Sequence, residues 1–220
     1  MKTFFKKESL SLIVMLSTIG MWAYFYGEMP ERIPIHFNFE GKADGFGNKD
    51  GVFTYLFPGL MAITYLVTFF IYRIDPKQKI TSPYEKPLPK IRLVINLMFL
   101  FIEALVIYSI KNGEMEPRFM LVGILSIVFI GLGNLMHSIK HNYFIGFKTP
   151  WTLENEQVWI KTHRLVSKIW VTTGLINIVA LWFVPNSVMI GLFVGMMITN
   201  VIWPFAYSWM EFKKIKTETN

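Results

Sequence analysis

Six long apolar runs separate the polar segments of this chain, and they constrain its fold more than any other feature. Each is close to the roughly 20 residues that an α-helix needs to cross a hydrocarbon layer. Lipid offers no hydrogen-bond partners, and the chain lacks repeated ten-residue alternating strands, so the runs are predicted to be helices. We expect an all-α, polytopic integral membrane protein with about six transmembrane helices. The runs cover residues 9–26, 52–73, 91–110, 118–138, 164–184 and 188–210.

Composition and charge agree with this class, because 53% of the 220 residues are hydrophobic and 17% are charged. The absence of cysteine excludes disulfides and thiolate metal sites. Most Lys and Arg residues fall in the two termini and in the loops after the second and fourth runs, which predicts that both termini are cytoplasmic. The basic excess is expected to orient the chain and contact membrane lipids, with no direct nucleic-acid binding.

This topology leaves a long first loop outside the membrane, residues 27–51. Within it, "IPIHFNF" alternates apolar and polar residues with the period of a strand. The following "EGKADGFGN" predicts turns at Gly41, Asp44–Gly45 and Gly47–Asn48. A calcium loop is not expected, because Lys49 stands where the turn glycine of an EF-hand is required.

The inner segment 142–164, "NYFIGFKTPWTLENEQVWIKTHR", is unusually rich in aromatic and polar residues for a connection. Thr149 is a suitable N-cap and Pro150 suits the first helical position. We expect one amphipathic helix that starts there and continues into the fifth run. The alternative is a plain interfacial anchor of aromatic and basic residues.

Two motifs carry a family resemblance. "NYFIGFKTPWTLENEQVWIKTHRL" resembles the signature of the SdpI family of bacterial membrane proteins, and "PERIPIHFNFEGKADGFGNK" resembles a domain of unknown function that often precedes it. The family is named for immunity to a toxin, sporulation delaying protein. The resemblance implies a non-enzymatic immunity protein of the plasma membrane that protects against a secreted antimicrobial peptide, and it leaves the identity of the toxin open. In some members it also implies signalling, through a soluble transcriptional repressor held at the membrane.

The resemblance also suggests two regions, residues 1–73 with the outer loop and residues 74–220 with the inner segment. Residues expected to bind the toxin or a partner lie in both loops. They are Pro34, His36, Asp44 and Lys49 outside, and Trp151, Trp159, Lys161, Thr162, His163 and Arg164 inside.

Polar residues inside the apolar runs cost a few kcal/mol each unless they find a partner or a watery cavity. Helix rise places Glu103 and Asn177 at a similar depth, and gathers Asn96, Asn134 and His137 nearer the cytoplasm. Hydrogen bonding between helices explains the asparagines without a further role. A small-molecule or ion transporter, or a membrane enzyme, with a polar site around Glu103 is the alternative function.

Two further patterns are weaker. His137 and His141 have the i, i+4 spacing that can present two imidazoles to a metal, but no acidic third ligand lies nearby in the sequence. We therefore expect no metal, no cofactor and no catalytic residues. Gly191 and Gly195 form a GxxxG motif, which predicts close helix packing. The sequence leaves the oligomeric state open.

Overall fold

The structure is a computed structural model that describes residues 2–38, 42–77, 79–82, 85–113 and 118–218. Within these residues the chain is mostly helical, with one short hairpin. Five helices are long and apolar enough to cross a membrane. The elements are α1 (Lys2–Tyr26), β1 (Arg32–Phe37), β2 (Ala43–Asn48), α2 (Val52–Phe70), α3 (Leu88–Asn112), α4 (Leu125–Met136), α5 (Pro150–Glu154), α6 (Glu156–Phe183) and α7 (Asn186–Glu218).

The predicted class, an all-α polytopic membrane protein, is confirmed, but the fourth apolar run differs from the other five. It consists of a π-helical stretch, Arg118–Ile124, followed directly by α4. Its apolar helical part, Val122–Met136, is shorter than the five long spans. The fourth apolar run therefore combines two helix types, and among the described residues five helices, where about six were expected, are long enough to cross a membrane.

The helices pack as two groups joined through α3 and α4. Helices α1 and α2 contact α3, while α4 and α7 contact α6. Helices α4 and α6 approach closely at glycines. A Cβ at Gly133 would lie 2.9 Å from Trp170 Cβ, and one at Gly174 would lie 2.8 Å from the Ser126 carbonyl oxygen. Small residues at these points allow the two backbones to pack without a gap.

The outer loop folds as an antiparallel hairpin, with Arg32 opposite Asn48 and Phe37 opposite Ala43. The predicted strand is confirmed over β1. The turns predicted at 44–45 and 47–48 are wrong, because these residues form β2. Gly45 lies so close to β1 that a Cβ there would be 2.9 Å from His36 Cβ, so glycine permits the pairing. Phe39 and the turn predicted at Gly41 lie outside the described residues.

The hairpin and the inner segment lie at opposite ends of α3. Ile33 of β1 packs in a cluster with Trp22, Met29 and Ile107. At the other end, Ile91 packs in a cluster with Trp159. The helical rise separates Ile91 and Ile107 by about 24 Å along the axis. Helix α3 therefore links the two loops that the sequence singled out.

The close packing predicted for Gly191 and Gly195 is not found among the described residues. Apart from the adjacent residues and the backbone of α7 itself, no described atom lies within 4 Å of the position that a Cβ would take at either glycine. Their neighbours Leu192 and Val194 are 43% and 48% exposed. This face of α7 therefore points outward, where the lipid would lie.

Cysteine labelling tests the predicted topology, and the chain supplies a background free of cysteine. Gln157 at the inner end and Asn48 on the hairpin are both exposed. In intact cells, Asn48→Cys should react with an impermeant maleimide, whereas Gln157→Cys should react only with a permeant one. Labelling of Gln157→Cys by the impermeant reagent would reverse the orientation.

Candidate functional site

The side chain of Asn142 organises the first turn of the inner segment. Its amide donates to the carbonyls of Lys140 at 2.7 Å and Ile145 at 2.8 Å. Its Oδ1 accepts from the N–H groups of Phe144 at 2.8 Å and Ile145 at 2.7 Å. Asn142 is 1% exposed. One buried amide therefore satisfies four groups of a loop that lacks regular structure.

Gly146 brings the loop against α6. Its φ of +124° lies in a region that L side chains rarely adopt. A Cβ here would lie 3.0 Å from the Trp159 ring and would also overlap His163 Nε2. The backbone conformation and the close approach both require glycine.

The hydrogen bonds of His163 fix its tautomer. Its Nε2 accepts from the N–H of Phe147 at 3.0 Å, so the ring proton is on Nδ1. Nδ1 then donates to the carbonyl of Trp159 at 2.8 Å. The imidazole stacks on the Trp159 ring with a centroid distance of 3.9 Å. A neutral, buried histidine thus joins the loop to the first turns of α6.

Trp159 is the centre of the inner element, our name for the folded inner segment 142–164, and is 1% exposed. Its Nε1 donates to the Ile139 carbonyl at 2.9 Å. On its other side lies His141, whose Nε2 donates to the Leu153 carbonyl at 3.0 Å. Burial, and then the positive charge of Lys77, lower the pKa of His141. The neutral form of His141 is therefore favoured beside Trp159.

Thr149 and Thr152 confirm the predicted helix start. The Thr152 N–H donates to Thr149 Oγ1 at 3.1 Å, and the Thr149 N–H donates to Thr152 Oγ1 at 2.8 Å. Thr149 Oγ1 is also 3.1 Å from Ser208 Oγ of α7. The start of α5 is therefore attached to the last helix.

The single helix predicted from Pro150 into the fifth run is wrong. Helix α5 ends at Glu154, and Asn155 has an extended backbone. Asn155 Oδ1 accepts from the N–H groups of Gln157 at 2.8 Å and Val158 at 3.1 Å, so it caps a new helix, α6. A short polar side chain competes with the helical backbone in this way.

The residues of the inner segment that the sequence predicts to be functional fall into three groups by exposure. Trp159, Thr162 and His163 are buried. A partner cannot contact their side chains directly, so these residues contribute by stabilising the fold of the segment. Trp151 and Lys161 are partly exposed and contact α7, through Phe205 at a ring distance of 5.0 Å and Glu211 at 2.6 Å. Arg164 is exposed.

The predicted outer residues are mostly held in pairs. His36 Nδ1 lies 2.5 Å from Asp44 Oδ1 across the hairpin, and both side chains are largely exposed. Lys49 pairs with Glu31 at 3.1 Å. Pro34 is buried. The exposed His36 and Asp44 are therefore the predicted residues of this loop that a partner molecule can reach.

A buried ion pair, which the sequence analysis missed, holds α1 against α3. Arg92 donates from Nε to Glu8 Oε2 at 3.1 Å and also pairs with Oε1, and both side chains are fully buried. From α2, the Tyr65 hydroxyl donates to Glu8 at 3.1 Å, and the Thr68 carbonyl accepts from Arg92 at 3.2 Å. Their only sequence signal is a charge at the inner end of each of two apolar runs.

Further buried polar residues continue along the same contact. Asn96 donates to Ser11 Oγ at 2.7 Å. The pairing of Glu8 with Arg92 and of Ser11 with Asn96 sets a register that places Thr18 at the level of Glu103. We call Glu8, Ser11 and Thr18 of α1, with Arg92, Asn96 and Glu103 of α3, the polar seam.

Glu103 differs from the other members of the polar seam. It is 1% exposed, and both carboxylate oxygens lack a hydrogen-bond partner among the described residues. Asn177 is also buried, but it does not bond to Glu103. The inner level predicted from Asn96, Asn134 and His137 is wrong. Asn96 faces α1, whereas Asn134 of α4 and His137, directly after α4, are exposed.

Comparisons with known proteins agree with the resemblance. Residues 138–208 match the family model of the SdpI/YfhL protein family, and residues 13–62 match a domain of unknown function, DUF1648. The chain is 29% identical over 217 residues to the Immunity protein SdpI of Bacillus subtilis strain 168, covering 96% of this chain and 98% of that protein. The predicted resemblance is confirmed. No solved structure matches the chain.

Two glycine substitutions test the contact between the loop and α6. Gly146→Ala should destabilise the protein by about 3 kcal/mol, because it adds a clash with Trp159 and His163 to backbone strain. Gly113 shares a positive φ, +73°, but no described residue crowds the position of a Cβ there, so Gly113→Ala should cost only about 1 kcal/mol. Thermal unfolding in detergent measures both. Equal losses of stability in the two variants would mean that the close contact between Gly146 and α6 contributes nothing to stability.

A double-mutant cycle tests the buried ion pair. Glu8→Gln or Arg92→Met alone should each cost about 3–5 kcal/mol, since each leaves an unpaired buried group. The double variant should be more stable than the sum of these losses implies. Thermal unfolding of the parent, the two single variants and the double variant gives the coupling free energy between Glu8 and Arg92. Strict additivity would show that the two residues do not interact.

Proposed function

We propose that this chain is a non-enzymatic immunity protein of a bacterial plasma membrane, which protects the cell against a secreted antimicrobial peptide. The observation that carries the proposal is similarity over nearly the whole length to a protein named as an immunity protein. The two matched regions also occur in the order that the sequence motifs predict.

The geometry supports different roles for the two ends of α3. A secreted peptide arrives from outside, where the predicted topology places the hairpin with its exposed His36 and Asp44. The inner element, built around Trp159 and His163, gives the other end of the bundle a defined shape. Loops held on a rigid scaffold commonly carry recognition.

The same proposal extends to signalling through a soluble transcriptional repressor. A cytoplasmic partner would contact exposed side chains of the inner segment, such as Arg164, Lys148 and Tyr143. The buried Trp159 and His163 would hold the backbone that carries these exposed side chains in position. A partner seated here would depend on the fold of the inner element as well as on its exposed charges.

One observation favours a second candidate, an ion or small-molecule transporter. Glu103 is a buried carboxyl without a donor among the described residues, and such groups commonly mark ion or proton pathways in membrane proteins. The two candidates separate in a flux assay with reconstituted vesicles, because only a transporter loses flux on Glu103→Gln.

A survival assay tests the immunity function. Expression of the chain in a sensitive bacterium should protect it from added sporulation delaying protein. At equal membrane abundance, Trp159→Ala should weaken protection about 30-fold, equivalent to about 2 kcal/mol, because it leaves a cavity at the centre of the inner element. The adjacent Ile160 is 43% exposed, so Ile160→Ala is the matched control and should protect fully.

Absence of protection by the parent chain would refute the proposed function. Equal protection by the parent and Trp159→Ala would instead show that the inner element is only a connector.

A further inference from the structure

We propose that Glu103 binds a proton, which reaches it along the polar seam from the end of the bundle that carries the inner element. Glu103 is 1% exposed, and both carboxylate oxygens lack a hydrogen-bond partner among the described residues. A metal ion would need several ligands at once, and the described residues contain no group of three His, Asp or Glu side chains that could hold one. The inference goes beyond the immunity function and does not rest on it.

The helical repeat of α3 points Glu103 toward α1 and α2. Glu103 lies about two turns from Asn96 and about three turns from Arg92, so these residues share one face of α3. On that face Asn96 bonds to α1, and Arg92 bonds to both α1 and α2. Val94 lies about two and a half turns from Glu103, on the opposite face. There, a Cβ at Gly131 of α4 would be 2.9 Å from the Val94 side chain. Helices α1 and α2 are therefore the surroundings of Glu103.

Among the described residues, no positive charge on these helices faces Glu103. Helix α1 contains no Asp, Glu, His, Lys or Arg after Glu8, and α2 contains none at all. On α3 itself, Arg92 and Lys111 are about 16 Å and 12 Å away along the axis, and they pair with Glu8 and Glu28. The tyrosines of α1 and α2 are exposed or bonded elsewhere, namely Tyr24, Tyr26, Tyr55 and Tyr65. An ionised Glu103 would be a buried charge without compensation, and a bound proton removes that charge.

The polar groups of α1 nearest to this level do not bond to the carboxylate. Thr18 Oγ1 donates to the Val14 carbonyl at 2.8 Å, within its own helix. Trp22 Nε1, about one turn farther toward the hairpin, has no acceptor among the described residues, so it does not bond to Glu103. Neither side chain therefore stabilises an ionised carboxylate.

Polar side chains lead to Glu103 from one end of the bundle. The pair of Ser11 and Asn96 lies between Glu103 and the inner element, and Asn96 Oδ1 offers an acceptor that no described residue uses. Toward the hairpin, an apolar cluster begins about one turn beyond Glu103. Its buried members are Trp22, Met29, Ile33 and Ile107. A proton therefore exchanges with Glu103 from the side of the inner element, and the cluster closes the hairpin side.

Infrared spectroscopy of the purified chain in nanodiscs tests proton binding directly. A neutral carboxylic acid has a C=O band that an ionised carboxylate lacks. We expect this band in the parent at neutral pH and its loss in Glu103→Gln. Glu28→Gln is the control, because Glu28 is half exposed and paired with Lys111, so the band should remain. Absence of the band in the parent, or its persistence in Glu103→Gln, would overturn the proposal.

Labelling with dicyclohexylcarbodiimide tests the route of the proton. This apolar reagent adds to protonated carboxyl groups: the acid proton moves to a carbodiimide nitrogen as the carboxyl oxygen bonds to the central carbon. In the parent, peptide mass spectrometry should find about tenfold more adduct at Glu103 than at Glu8, which is equally buried but paired with Arg92. In sealed vesicles with one orientation of the chain, raising the pH on the side of Gln157 should suppress the adduct at Glu103. Raising it on the side of Asn48 should not.

Three results of the labelling experiment would overturn the proposed route. They are equal adducts at Glu103 and Glu8, no adduct at Glu103, and an adduct that follows the pH on the side of Asn48. None of them bears on the survival assay, so a failure here leaves the immunity function standing, and loss of protection by the parent leaves the proton site standing.

Discussion

Arg92 is a charged group inside an apolar bundle, and the packing of the first three helices follows from how its charge is compensated. Glu8 of α1 pairs with it, and Tyr65 and Thr68 of α2 complete the hydrogen bonds around the pair. Removing either charge would leave the other buried and unpaired, which is strongly unfavourable. The pair therefore determines which faces of α1 and α2 meet α3, and the rest of the polar seam follows in register from it.

The inner element also contains buried polar groups that need hydrogen-bond partners, and it supplies them in a different way. Its chain has little regular structure between α4 and α5, so its backbone groups need partners from side chains. Asn142 and His163 supply them, and Gly146 allows the loop to approach Trp159 closely enough to use them. At the far end of α3 the hairpin covers Trp22 and Ile107. The protein is thus a bundle with one shaped element at each end, and α3 runs between them.

The sequence correctly predicted the features that depend on a local pattern of residues. Span lengths follow from hydropathy, β1 from alternation, and the start of α5 from the pair Thr149–Pro150. It did not predict contacts between distant residues, because Glu8 and Arg92 are 84 positions apart and each resembles an ordinary charge at the end of a span. Prediction from local sequence also failed where packing against other elements determines the structure. Glycines that suggest turns form β2 because β1 lies close to them, and hydropathy alone did not show that Asn134 faces outward.

Polar residues of α1 and α3 face each other in the bundle, and disulfide formation is a direct test of this contact. The chain has no cysteine of its own, and Ser11 and Asn96 are hydrogen-bonded at 2.7 Å. Ser11→Cys with Asn96→Cys should form a disulfide on mild oxidation, detected by mass spectrometry of the joined peptides. Leu16 and Phe101 are exposed on the outside of the same helices, 69% and 43%, so the pair Leu16→Cys with Phe101→Cys should not. A disulfide in the second pair and none in the first, in a folded protein, would show that these polar faces of α1 and α3 do not meet.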